Sequence, residues 1–211
     1  MMKTKIIPAI LAVDLSQFKR QWQKIAAFFT YVQIDIMDGK FVRTKTKFTP
    51  QQIQNLTKNH QLEIHLMVNE VNKYLKIWSK LPNVKKIIWH WETDHQNINQ
   101  YLKFLATKKI QAGLALNPPT KIVAIEPIVK KFHTILVMNV VPGKMGQKSQ
   151  TGILEKIKKL RQKYPRLNIE IDGGVNDQTA HKLKTAGANL LASGSYLQQS
   201  KNLKLALKKL K

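Results

Sequence analysis

Asp35, His65 and Asp172 each stand at or near the end of a short apolar run. Two carboxylates and an imidazole are suitable ligands for a divalent cation. A second group is made of glycines. Gly173-Gly174 and Gly194-Ser195 follow the last two apolar runs, and Gly143 and Gly146 punctuate the segment after the sixth. Backbone N–H groups at glycine can approach an anion closely, and the start of a following helix adds to the attraction, so these three loops suit a phosphate. The Gly143–Gly146 segment also has the composition of a mobile lid. Each feature has a plainer use: a packed, hydrogen-bonded histidine, a turn aspartate before Gly-Gly, and ordinary strand-to-helix turns.

For these residues to meet, the runs must be strands of one sheet. Eight runs are present, at 6–11, 31–36, 62–66, 86–90, 111–116, 134–138, 167–171 and 189–192. Most are continuously apolar rather than alternating, the pattern of strands buried on both faces of a parallel sheet. Helical patterns lie between them. Ser16 is positioned to cap a helix burying Phe18, Trp22 and Ile25, and Thr49-Pro50 opens another. Further helices are expected over 71–79, 98–105, 122–129, 152–163, 176–186 and 196–210, with Pro127 shortening or bending the one at 122–129. Asn176 caps the seventh and Gly187 stops it. Eight strand-then-helix units predict a single (β/α)₈ TIM barrel spanning 1–211, with its active site at the C-terminal strand ends. Period-two alternation puts Gln33, Asp35 and Met37 on one face of the second strand.

Composition narrows the classes. The 211 residues are 43% apolar, sufficient for a core, and include no cysteine, which excludes disulfides and thiolate metal sites. A cytoplasmic location is expected. The apolar stretch near the start is broken by Pro8 and ended by Asp14, too short for a signal-peptide core, and no run reaches a membrane span. The 36 Lys+Arg against 12 Asp+Glu give a formal charge of +24, which favours anionic partners. Only Arg20, Arg43, Arg161 and Arg166 are arginines, and the lysines are spread along the chain. That distribution fits solvated helix faces better than a nucleic-acid reader, which leans on arginine.

Seven motifs, in order, make the chain resemble the ribulose-phosphate 3-epimerase family over nearly its whole length. They are Pro8-Ala9-Ile10-Leu11-Ala12-Val13-Asp14; Ile34-Asp35-Ile36-Met37-Asp38-Gly39-Lys40-Phe41-Val42; His65-Leu66-Met67-Val68; Leu116-Asn117-Pro118; Pro142-Gly143 with Gly146-Gln147; Asp172-Gly173-Gly174-Val175-Asn176; and Gly194-Ser195. The resemblance implies a barrel of the ribulose-phosphate-binding type that interconverts D-ribulose 5-phosphate and D-xylulose 5-phosphate. It assigns Asp35 and Asp172 as the acid/base pair on opposite faces of C3. It implies a divalent metal (zinc, iron, manganese or cobalt) on Asp35, His65 and Asp172, with Gln33 as a fourth candidate. It implies phosphate contacts at Gly143, Gly146, Gly173, Gly174, Gly194 and Ser195. Ala9, Met37, Met67 and Met138 would line the substrate, and a homo-oligomer is expected.

The departures cluster at the expected mouth. Gln33 stands where the family has a metal-ligating histidine, Ala9 where it has a serine, and Arg43-Thr44 where it has Pro-Asn; Val141 replaces a polar residue. Two other readings follow. One is a relative that binds a sugar phosphate without turnover. The other is a basic nucleic-acid-binding protein on the same scaffold, drawn from the net charge and the five lysines of 201–211.

Overall fold

The computed structural model describes residues 4–143 and 150–211. Its strands are β1 (Lys5–Leu11), β2 (Tyr31–Met37), β3 (Gln61–Met67), β4 (Val84–His90), β5 (Gln111–Leu116), β6 (Thr134–Met138), β7 (Asn168–Asp172) and β8 (Leu190–Ser193). They follow one another in chain order around a closed barrel, the architecture of the (β/α)₈ class. The continuous apolar runs are explained by burial on both strand faces: Ile34 and Ile36, Ile64 and Leu66, Ile87 to Trp89, and Ile135 to Val137 are all excluded from solvent.

The helices are α1 (Leu15–Ile25), α2 (Pro50–Thr57), α3 (Val71–Trp78), α4 (Ile98–Thr107), α5 (Ile153–Lys163), α6 (Ala180–Ala186), α7 (Ser195–Gln199) and α8 (Leu203–Leu210). Each long one buries a single stripe, such as Phe18, Trp22 and Ile25 on α1. None among the described residues is long and apolar enough to cross a membrane.

Four local expectations are corrected. Asp14, not Ser16, caps α1, accepting from the Gln17 backbone N–H at 2.8 Å, while Ser16 accepts from Arg20. The helix expected over 122–129 is instead two 3₁₀ turns, Ile122–Ile125 and Val129–Lys131, with Pro127 between them supplying no N–H. The helix expected from Asn176 runs from Ala180 to Ala186, although the Asn176 side chain accepts from the Gln178 and Thr179 N–H groups in the manner of a cap. The last helix is two, α7 and α8. Asn202 starts the second by accepting from Leu205 N–H at 3.0 Å.

By internal contacts the chain forms two compact units, Pro8–Leu114 and Met1–Ile7 with Ala115–Lys211. In the first, β2 and β3 pair in parallel with Gln33 beside Glu63, Asp35 beside His65, and Met37 beside Met67. Gly113 on β5 leaves room for Ile88, whose Cγ1 would lie 2.6 Å from an added Cβ. In the second, β6 and β7 pair with Met138 beside Asp172, and β7 and β8 with Asp172 beside Ala192. There the Arg161 guanidinium ties α5 to the carbonyls of Gly187, Pro165 and Leu167 and to the Asn189 side chain. Burial lowers its pKa from the ordinary arginine value.

The first unit also buries an ion pair. Lys86 Nζ lies 2.6 Å from Glu63 Oε2, and the Tyr31 hydroxyl donates to the same oxygen at 3.0 Å. Removing one partner leaves a charge stranded away from water. Lys86→Met is therefore expected to cost about 3–5 kcal/mol. The double variant Glu63→Leu/Lys86→Met should recover much of that loss, since an apolar pair of similar volume replaces a charged one. Urea unfolding midpoints of the two proteins provide the check, and an unchanged midpoint for Lys86→Met would refute the expectation.

Candidate active site

β2 supplies the first part of the site. Asp35 is buried, and its Oδ1 meets two neighbours: the Gln33 side-chain amide donates to it at 2.8 Å, and His65 Nδ1 lies 3.1 Å away. Gln33 is one period-two step before Asp35 on the same strand, and His65 is Asp35's register partner on β3. Thus strand geometry alone brings the three together. Met37 and Met67, the next pair along, pack with Val42 in a buried cluster bordered by Leu11 and Phe41. Ala9 is buried on β1 beside Gln33.

The loop after β2 is held by Asp38. Its Oδ1 accepts from the Lys40 and Phe41 N–H groups, and its Oδ2 accepts from Asn69 N–H at 2.7 Å, after β3. This staple had no signal of its own in the sequence beyond an aspartate before glycine. Nearby, burial first and then the Asp38 and Glu70 charges push the Tyr74 phenol up.

β7 supplies the other carboxylate. Asp172 is its last residue, half-buried, with Met138 as its buried register partner on β6. Asn139, unassigned from the sequence, pins the following loop. Its N–H donates to the Asp172 carbonyl at 2.7 Å and its side-chain amide to the Gly173 carbonyl at 2.8 Å. The Thr179 hydroxyl donates to the Gly174 carbonyl at 2.7 Å, and the Ser193 hydroxyl to that of Val175 at 3.0 Å. Burial first, then Asp177, raises the pKa of Tyr196, which follows Ser195 on α7.

Gly173 is needed here twice over. Its φ is +99°, and an added Cβ would lie 2.3 Å from Val140 Cγ2. Gly173→Ala combines a left-handed backbone penalty with overpacking, and is expected to cost roughly 2–4 kcal/mol. Thermal unfolding of that variant beside Gly152→Ala, where a Cβ meets nothing within 4 Å at φ +79°, separates the packing part from the backbone part. Equal losses in the two would refute the packing part.

One ligand atom from each of Asp35, His65 and Asp172 lies within 4.8 Å of the others. Two carboxylates and an imidazole at that spacing could hold a divalent ion. Of the residues expected to contact phosphate, Gly173 and Gly174 follow Asp172 with positive φ, Gly194 and Ser195 open α7, and Gly143 has φ +92°. Gly146 lies outside the described residues.

The chain matches the family model described as the ribulose-phosphate 3 epimerase family over residues 5–198. It belongs to that family. Among curated relatives, it is 31% identical over 209 residues to ribulose-phosphate 3-epimerase of Helicobacter pylori strain J99, covering 96% of this chain and 94% of that one. It is 32% identical over 197 residues to the cytoplasmic isoform of ribulose-phosphate 3-epimerase from Oryza sativa subsp. japonica, covering 90% and 86%. The family is one of isomerase-class enzymes, and its epimerases match this chain nearly end to end. Solved structures agree on the barrel alone. One neighbour is 3-keto-L-gulonate-6-phosphate decarboxylase from Vibrio cholerae, with TM-score 0.73 at 11% identity over 99% of this chain and 95% of that one. Another is a 3-hexulose-6-phosphate synthase, with TM-score 0.71 at 15% identity and 98% coverage of both.

Proposed function

We propose that the protein inverts C3 of a phosphorylated ketose, interconverting D-ribulose 5-phosphate and D-xylulose 5-phosphate, with Asp35 and Asp172 as the acid/base pair. The observation that carries this reading is the Asp35, His65 and Asp172 cluster within 4.8 Å, in a chain of the epimerase family. One aspartate takes the C3 proton. The electron pair left behind forms the C2–C3 double bond while the C2 carbonyl π pair moves onto its oxygen, giving an enediolate. The other aspartate, protonated, then gives its proton to the opposite face of C3, and inversion is complete with no covalent intermediate.

Asp35, His65 and Asp172 fit a divalent ion by donor type and spacing, and would hold it between them. Such an ion supplies positive charge against the enediolate oxygens. The buried Met37, Met67 and Met138 exclude water around the reacting carbons without offering a competing base. Backbone N–H groups at Gly143, Gly173, Gly174, Gly194 and Ser195 are the proposed phosphate donors, together with Gly146. Because α7 is only five residues long, local N–H groups rather than a helix dipole carry that role.

The test is hydrogen exchange. In D₂O, D-ribulose 5-phosphate should take up deuterium at C3 and xylulose 5-phosphate should accumulate. No C3 exchange with either epimer, in the presence of zinc, iron, manganese or cobalt ions, would overturn the reading.

A further inference from the structure

β4 brings a second imidazole against the first. Alternation along Val84–His90 puts Lys86, Ile88 and His90 on one strand face. His90 is fully buried. Its Nε2 lies 2.9 Å from His65 Nε2, and the two rings stack with centroids 5.0 Å apart and planes 24° from parallel. Phe41 also packs on the His90 ring, with centroids 4.7 Å apart. His90 Nδ1 lies 3.4 Å from Glu92 Oε2, whose side chain is partly exposed. Four groups therefore stand in series: Asp35, His65, His90 and Glu92.

Two ring nitrogens at 2.9 Å must divide the roles of donor and acceptor between them. The direction follows from the other nitrogen of each ring. His65 Nδ1 is the nitrogen turned to Asp35, so it is the one that would ligate an ion, and a ligating nitrogen must present a lone pair. The proton of His65 then sits on Nε2 and is donated to His90 Nε2. His90 in turn keeps its proton on Nδ1, facing the Glu92 carboxylate. Each nitrogen of the His65–His90 contact then has one compatible role. Filling the same space with an apolar side chain would avoid burying a second polar ring, so the hydrogen bond is what gives an imidazole here its advantage.

We propose that His90 is a positioning residue for His65. Its Nε2 lone pair holds the ligand imidazole in the Nε2–H form and its stacked ring sets the plane of His65, with the Glu92 carboxylate 3.4 Å behind His90 Nδ1. The proposal rests on the metal-holding reading of Asp35, His65 and Asp172. Partners behind a metal ligand commonly set its tautomer and orientation in this way. At 3.4 Å and part-exposed, Glu92 contributes the smaller share.

The experiment is a competition titration of the full chain with Zn²⁺ and Co²⁺ against a chromophoric chelator. It compares wild type with His90→Leu, His90→Gln and Glu92→Gln, without substrate. His90→Leu should weaken binding about 10–100-fold. His90→Gln, whose side-chain carbonyl can accept in place of Nε2, should stay near wild type, and Glu92→Gln should fall between. Imidazole ¹⁵N spectra of the Zn²⁺-loaded wild type should show a hydrogen-bonded, slowly exchanging His65 Nε2–H. This last measurement stands even if His90→Leu does not fold. Equal affinity of His90→Leu and wild type, or a Zn²⁺-loaded His65 carrying its proton on Nδ1, overturns the proposal alone. If wild type binds neither ion, the metal reading falls and this proposal falls with it.

Discussion

Asp172→Asn should abolish inversion at C3 while leaving the fold intact. The replacement is isosteric, and Asp172 is half-buried at the end of β7, where Asn139 holds the loop behind it through the Asp172 and Gly173 backbone carbonyls. What disappears is a proton carrier and a charged ligand. General acid–base catalysis by a positioned side chain accounts for roughly 10²–10⁴-fold in rate, so a loss of at least that size is expected. The isotope pattern is more diagnostic than the rate. With one aspartate left, a proton can be removed from and returned to one face only. In D₂O the variant should therefore exchange C3 hydrogen in one epimer without converting it, and leave the other epimer silent. Asp35→Asn should show the reverse preference. The readouts are the C3 proton signal and the epimer ratio, followed in one NMR time course. An Asp172→Asn enzyme that inverts C3 at the wild-type rate would remove Asp172 from the mechanism.

The sequence carried the barrel more clearly than its decoration. Strands such as β2 and β3 are legible because burial on both faces demands unbroken apolar runs, and the one-step offsets to Gln33, Asp35 and Met37 follow from the pleat. Helix starts were harder. Asp14 and Ser16 are both good capping residues, and the choice went to Asp14 because the Gln17 side chain returns to Val13 N–H at 2.7 Å, completing a cap around that position. The break between α7 and α8 rests on the Ser200 hydroxyl, which donates to the Asn202 carbonyl and accepts from the Asn202 N–H, a local competition with helix that the leucine spacing conceals. At the site, Asp35 and His65 could be paired by chemistry. Asn139 and His90 could not, because their roles depend on contacts with Gly173 and His65, residues 34 and 25 positions away.

Gln33→His should raise affinity for a divalent ion by at least the roughly 10–100-fold that partners behind a metal ligand command, since it supplies a ligand outright. In the structure Gln33 is fully buried and donates its amide N–H to Asp35 Oδ1 at 2.8 Å. An amide nitrogen has no lone pair to offer a metal. Turning the amide over would bring its oxygen toward the ion but would also set it against the Asp35 oxygen, exchanging an attraction for a repulsion. On the proposed reading Gln33 orients Asp35, and three residues would hold the ion. An imidazole at the same place can take up coordination through one nitrogen, giving a four-ligand set of two histidines and two aspartates. Imidazole is also a better zinc ligand than a neutral amide oxygen. The gain should appear in chelator competition with the purified proteins. The turnover consequence depends on metal supply: kcat/KM should rise when the ion is scarce and change little when it saturates. Gln33→Leu provides the control. It removes a buried hydrogen bond to a charged acceptor, worth about 1.5–3 kcal/mol, without adding a ligand. It should therefore weaken the site, where Gln33→His strengthens it. Were the two variants to bind the ion equally, the amide's hydrogen bond to Asp35 would be incidental, and the three-ligand account of this site would have to be abandoned.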